Sequence, residues 1–254
     1  MTLADNFFII YLKESCDKMD ILNFTPKKLG LSNNQLKIIA MISMLVDHIG
    51  VYLFPDVLIL RIIGRIAFPI FAYMIAEGCF YTKHRLRYLL HLLILGTLCQ
   101  LVYFFFMGSL YMGILLTFSL SIITIYTIEY YLKEKSFISI LLMFITILSV
   151  SFISSIMPLI FKEQGFEFDY GILGIFLPVL IYFSKQKLIK LIILTIFMIL
   201  LAIYYNSNVM LFSLVAIPLL LLYNNKRGKY KLKYLFYIFY PLHLVIIYLV
   251  SLFI

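Results

Sequence analysis

The run LIILTIFMILLAIYY, residues 191–205, contains no charged residue, glycine or proline. A segment of this kind in hydrocarbon must satisfy its backbone N–H and C=O groups internally, which leaves an α-helix or a strand of a closed barrel. The run is continuously apolar and does not alternate, so the helix is favoured. Comparable segments lie at about 35–54, 57–81, 87–107, 111–132, 137–160, 171–184, 187–205, 208–223 and 232–253. Hydrophobic residues make up 64% of the 254 and charged residues 13%, against about 45–50% and 25% in soluble domains. A soluble shape of this length lacks the interior to hide so much apolar surface. The expected fold is therefore all-α: a polytopic integral membrane bundle of about nine transmembrane segments. The sixth and eighth segments fall short of the ~20 residues needed to cross ~30 Å of hydrocarbon, which points to kinked, partly re-entrant or bundle-buried helices. There is no visible internal repeat and no room for a second, soluble domain.

Loop charge sets the expected orientation. Basic residues gather before the first segment (Lys27, Lys28) and after the second (Lys83, Arg85, Arg87), fourth (Lys133, Lys135), sixth (Lys185, Lys187, Lys190) and eighth (Lys226, Arg227, Lys229, Lys231, Lys233). The intervening loops are neutral or acidic, with Asp56, Glu163, Glu167 and Asp169. Lys and Arg are retained on the cytoplasmic side, so this alternation predicts the N-terminus inside and the C-terminus outside a bacterial cytoplasmic membrane. The same rule accounts for the net charge of +9 without a nucleic-acid partner. Cys16, Cys79 and Cys99 have no CxxC spacing, so no disulfide framework or metal site is expected. Residues 1–34 read as an interfacial or loosely ordered leader, not a cleavable signal, because Asp5, Glu14, Asp17 and Asp20 interrupt their apolar stretch.

Ionisable side chains inside a bundle are costly and are functional candidates for that reason. At 1.5 Å per residue, Lys37 lies near the inner end of the first segment and His48 in its outer half. The two are about 20° from a common helical face. Arg61 and Arg65 share one stripe of the second segment, from the depth of His48 toward midplane. Gln100 falls in the outer third of the third segment, Thr117 roughly 9–12 Å below the outer end of the fourth, and His243 near the middle of the ninth. Asp169 and Tyr170 open the sixth segment from outside. Each has a plain structural reading beside the functional one. Asp47 can cap or pair with Arg61, a lone core histidine is commonly just hydrogen-bonded, and arginines staple helices as readily as they grip anions. Glu77 suits a structural pair near Lys37, His91 an interfacial position, and the run at 226–233 a topology signal that also offers phosphate contacts.

Four stretches resemble the TraX family, named for the conjugative-pilus enzyme that N-acetylates pilin: LKIIAMISMLVDHIG (36–50), LRIIGRIAFPIFAYMIAEG (60–78), DYGILGIFLPVLIYF (169–183) and VAIPLLLLYNNKRG with KYLFYIFYPLHLVIIYL (215–249). GILLTFSLSI (113–122) is similar to the family's fourth-segment motif in weaker form. The resemblance defines a domain over 35–254. The family is also distantly similar to integral-membrane acyltransferases, in which a basic residue precedes a histidine on one face of the first helix; Lys37 and His48 fit, with Lys in place of the usual Arg. What this implies is acetyl transfer from acetyl-CoA to a peptide, glycan or lipid acceptor, with His48 as the catalytic histidine. Asp47, Arg61, Arg65, Asp169 and His243 also stand in family motifs, without individual roles attached.

The chemistry of the residues agrees with that implication. Acetylation needs a base for the acceptor amine or hydroxyl and a donor for the tetrahedral oxyanion. A buried neutral His48, tuned or oriented by Asp47, supplies the first, and Arg65 or His243 the second. Phosphates of the acetyl donor need cations, for which Lys37, Arg61, Lys226, Arg227 and Lys229 are candidates. Asp169, Tyr170, Gln100 and Thr117 remain for the substrate. Two rival readings use the same residues: a transporter or flippase, which the lack of an inverted repeat disfavours, and a non-catalytic envelope assembly factor.

Overall fold

A computed structural model of the protein describes residues 30–229 and 233–253, and these are helical with no strand among them. Six helical spans among the described residues are long and apolar enough to cross a membrane: Asn33–Tyr52, Leu58–Tyr81, Arg85–Phe106, Ile114–Glu134, Phe137–Ile160 and Lys187–Tyr204. Three further apolar segments, Gly171–Phe183, Asn208–Leu221 and Leu235–Ser251, are shorter. Most of the expected leader lies outside the described residues. Of its described residues, 30–32 lead into helix α1 (Asn33–Tyr52), which takes in Asn33 and Asn34 and which Ser32 begins with a capping box closed by Gln35.

The second apolar segment is not one continuous helix. Helix α2 (Leu58–Gly64) ends at Arg65 and α3 (Ala67–Tyr81) restarts beyond it. Pro69 lacks the N–H that would bond the carbonyl of residue 65, and its ring crowds that carbonyl, so the break falls where a proline imposes it. Helix α3 forms the centre of the bundle, with eleven of its fifteen residues buried. Helix α4 (Arg85–Met107) and α5 (Ile114–Glu134) follow. Buried Thr117, Ser121 and Thr124 line one face of α5, and the Ser121 hydroxyl donates to the carbonyl of Ile175 at 2.7 Å. Small polar residues at an interface let membrane helices approach closely. Helix α6 (Phe137–Ser155) is the outermost. Leu141, Leu142, Phe144, Ile145, Leu148 and Phe152 along it are all exposed, an apolar face suited to a hydrocarbon surrounding.

Helix α7 (Gly171–Phe183) is short and largely buried, and α8 (Lys187–Tyr204) follows it. The eighth segment is wound as 3-10 helix over Asn208–Val215 and becomes α-helix α9 (Ala216–Leu221). At about 2.0 Å per 3-10 residue and 1.5 Å per α residue, these fourteen residues reach about 25 Å, more than an α-helix of equal length. Helix α10 (Lys233–Ser251) closes the bundle against α1 and α4.

Contacts sort the loops to two ends. At one, Asn33 and Asn34 donate backbone N–H groups to the carbonyls of Lys226 and Arg227. There too Lys190 pairs with Glu77 at 2.9 Å and Arg85 with Glu129 at 2.5 Å. The structural pair expected for Glu77 therefore exists, but its partner is Lys190 from α8, not Lys37. At the other end the backbone of Met112 bonds Glu167 and Asp169, and the Phe106 and Tyr248 rings stack at 3.9 Å.

Candidate functional site

At this second end Asp47 and His48, neighbours in sequence, serve different partners. Successive residues of a helix point about 100° apart. The Asp47 carboxylate turns to the α2 segment, taking Nη1 of Arg61 at 2.7 Å and Nη2 of Arg65 at 2.6 Å. Gly64 makes this possible, since a Cβ there would stand 2.1 Å from Oδ1 of Asp47. The expectation that Asp47 orients His48 is corrected accordingly: no hydrogen bond joins the two. Arg61 and Arg65 both staple helices through Asp47, and Nη1 of Arg65 also reaches the Tyr170 hydroxyl at 3.4 Å.

His48 turns instead to α10. Its Nδ1 lies 2.8 Å from Nε2 of His243, and Nδ1 of His243 lies 2.7 Å from the carbonyl of Phe239. A carbonyl only accepts, so Nδ1 of His243 carries a proton, and in the neutral ring Nε2 is then the acceptor. Nδ1 of His48 must therefore donate to it. The chain of bonds leaves the lone pair of His48 on Nε2. The His48 and His243 rings lie nearly parallel with centroids 5.0 Å apart, edge to edge as their hydrogen bond requires, and His243 stacks on Phe239 at 4.7 Å.

A cavity of about 130 Å³ opens beside the pair, lined among others by Asp47, His48, Gln100, Asp169, Tyr170 and His243. Six of the sequence-derived candidates, drawn from α1, α4, the turn before α7 and α10, thus meet around one space. Tyr170 adopts φ 60° at the start of α7, a left-handed conformation that a bulky residue holds only under constraint. Its ring lies flat on Phe68 at 3.7 Å. Asp169, in the loop ahead of α7, accepts the Tyr111 hydroxyl at 2.7 Å. Burial pushes its carboxyl up, to about 6, against the opposing pull of that hydrogen bond and of the Arg65 charge.

Other candidates lie elsewhere. Thr117 does not line the cavity; its hydroxyl donates to the backbone carbonyl of Asp169 at 3.0 Å. Arg61 and Arg65 stand behind Asp47, outside the cavity wall. Lys37 sits toward the opposite end of α1, 5.8 Å from the Phe236 ring. The loop carrying Lys226, Arg227 and Lys229 is docked over the start of that helix. Arg61 is thereby separated from the four lysine and arginine residues it was grouped with. Tyr52, Tyr103, Tyr111 and Tyr240, unremarked in the sequence, also line the cavity. In a chain with 20 tyrosines, Tyr52, Tyr103 and Tyr111 carry no distinguishing local pattern, and Tyr240 lies in the quoted KYLFYIFYPLHLVIIYL stretch without a role attached to it.

The family model for TraX protein matches residues 32–251, nearly all of the described bundle. Among curated relatives, an uncharacterized protein of Rickettsia prowazekii (strain Madrid E) is 47% identical over 60 residues, 24% of each chain. A probable fimbrial assembly protein FimC, serogroup H1, of Dichelobacter nodosus is 32% identical over 81 residues, 30% of this chain and 33% of that one. The matched stretches thus span about a quarter and a third of these relatives. No solved structure matches. On the extent of the family match, this chain belongs to the TraX family.

Proposed function

We propose that this protein is a cell-membrane acetyltransferase that moves an acetyl group from acetyl-CoA to an amine or hydroxyl of a peptide, glycan or lipid acceptor. The observation that carries the reading is the His48–His243 pair at the cavity, in which the hydrogen-bond chain leaves Nε2 of His48 as a free lone pair. A neutral imidazole with a fixed tautomer is a general base set to receive a proton from an attacking amine or hydroxyl. His243 accepts the Nδ1 proton of His48 and so steadies the imidazolium that forms. The donor supplies an activated acyl carbon. Lys37, Lys226, Arg227 and Lys229, together at one end of α1, are the residues that would hold its phosphates, about 16 Å along the helix from His48. The fimbrial assembly in the name of the Dichelobacter relative favours an acceptor that is a subunit of a surface fibre.

Purified protein in detergent with acetyl-CoA and a pool of envelope peptides tests the reading. Wild type is expected to gain thermal stability from acetyl-CoA and to release CoA as acceptor is consumed. His48→Ala should keep the stabilisation and lose about 10²–10⁴-fold in rate. A folded His48→Ala protein that still turns over at wild-type rate removes the base. A wild type that neither binds acetyl-CoA nor releases CoA favours the transporter or assembly readings.

A further inference from the structure

The base accounts for one half of an acyl transfer. The other half, a donor for the oxyanion, is not met by either group the sequence suggested. His243 has spent both ring nitrogens, one on Phe239 and one on His48. Arg65 gives Nη2 to Asp47 and Nη1 to Tyr170, and its unpartnered Nε belongs to a side chain that does not line the cavity. A different group is in place. The side-chain amide of Gln100 lines the cavity, and both its polar atoms are buried with no hydrogen-bond partner among the described residues. Either way round, the amide leaves a donor and an acceptor unmet, and a buried amide without partners costs about 1–3 kcal/mol. A position that retains such a group is explained by a ligand that supplies the missing bonds.

The start of α5 adds to it. Gly96 of α4 touches this helix start: a Cβ there would meet Leu116 at 3.0 Å and Leu115 at 3.3 Å. Gln100 is one turn, about 5.4 Å, further along the same face of α4, which brings it to the N-terminal end of α5, the end toward which the first N–H groups of that helix point. The first turn of α5 has no side-chain cap. Gly113, Ile114 and Leu115 line the cavity, and the N–H groups of Ile114 and Leu115 have no acceptor among the described residues. The first N–H groups of a helix carry its positive partial charge, and α5 is 21 residues long.

We propose that Gln100 and the N–H groups of Ile114 and Leu115 form the oxyanion site of the transfer, facing His48 across the cavity. This rests on the acetyltransferase reading above. The acceptor nitrogen or oxygen bonds to the thioester carbon while Nε2 of His48 takes its proton. The carbonyl electron pair moves onto oxygen, where the Gln100 amide and the helix N–H groups meet it. Collapse re-forms the carbonyl and breaks the carbon–sulfur bond, and the leaving thiolate takes the proton back from His48. Atoms and charge balance, with no further reactant.

Gln100→Met separates this from a packing role, because it keeps the length of the side chain and removes the amide. An orphaned amide replaced by an apolar group of similar shape leaves a fold as stable or more so. Gln100→Met is therefore expected to hold or raise the melting temperature, to leave the acetyl-CoA concentration for half-maximal stabilisation within about twofold, and to lower kcat by about 10²–10³-fold. Infrared spectroscopy of isotope-labelled acetyl-CoA supplies a readout without turnover. The thioester carbonyl band should move to lower frequency on wild type and return toward its free position on Gln100→Met. If acetyl-CoA binds wild type but its band is unmoved, or moves equally on both proteins, the oxyanion assignment falls while the acetyltransferase reading stands. If acetyl-CoA does not bind wild type at all, the functional reading fails and takes this assignment with it.

Discussion

Gly64 carries more of this architecture than a glycine in a membrane helix usually does. A methyl group there would lie 2.1–2.5 Å from the Oδ1, Cβ and Cγ atoms of Asp47. That side chain cannot swing away, because two guanidiniums grip it at 2.6–2.7 Å. Gly64→Ala should therefore either push α2 off α1 or break the ion triad. The first route is overpacking, about 1–3 kcal/mol. The second leaves partly buried charge uncompensated, at about 3–5 kcal/mol. A drop in the melting temperature of the purified protein is expected. Equal melting temperatures for Gly64→Ala and wild type would show that α2 yields freely at this point. The residues that mattered here were legible as a set: Asp47, His48, Arg61, Arg65, Asp169 and His243 are expensive in hydrocarbon wherever they stand. Their partnerships were not. Adjacency suggested that Asp47 serves His48, but helical geometry turns neighbours apart, and the partner of His48 lies 195 residues away.

Among the elements, the broken second segment shows what hydropathy hides. Its hydropathy carries on over 57–81 despite Arg61, Arg65 and Glu77, and Pro69 marks the step between α2 and α3. That step sets the angle at which Arg61 and Arg65 approach Asp47 while Phe68 stays under Tyr170. Pro69→Ala should let one helix run through. The helix itself would gain, since an interior proline costs about 3 kcal/mol. The site would lose, because a displacement of about 1 Å in supporting groups can cost about 10²-fold in rate. The expected outcome is a protein of equal or higher melting temperature with acetyl transfer reduced about 10²-fold. Unchanged transfer would mean that the break is incidental to the site. The two short segments anticipated in the sequence are present, α7 buried and the eighth wound partly as 3-10 helix. Their length showed that something other than a straight transmembrane α-helix was needed. The choice between burial and tighter winding depends on neighbours that a single chain pattern does not display.

For the whole molecule, loop charge bears on which end faces the cytoplasm, and segment length on how many of the nine apolar segments cross. The contacts divide the loops into two sets. One end gathers Lys83, Arg85, Arg87, Lys133, Lys135, Lys185, Lys187, Lys190, Lys226, Arg227 and Lys229. The opposite end has Asp56, Glu163, Glu167 and Asp169, with Lys162 as its basic exception. Positive residues are held on the cytoplasmic side during insertion, so the end with the 226–229 loop should face inward and the histidine pair should open outward. The eighth segment fits a crossing, because its mixed winding reaches about 25 Å of a ~30 Å hydrocarbon layer. The seventeen residues of Leu235–Ser251 also reach about 25 Å as α-helix. The expectation is therefore an odd number of crossings, with the start of α1 inside and the end of α10 outside. A reporter active only outside the membrane should work when fused after residue 254 and fail when inserted at 226–229. Cysteines placed at 163–166 should react with an impermeant thiol reagent in intact cells, and cysteines at 133–135 only after lysis. The arrangement matters for the chemistry: an acyl donor made inside would meet its cationic contacts at one end of α1, and an external acceptor would meet His48 near the other. A C-terminal reporter active only in the cytoplasm would reduce the crossings to an even number and place the acceptor and donor problem on different sides from those argued here.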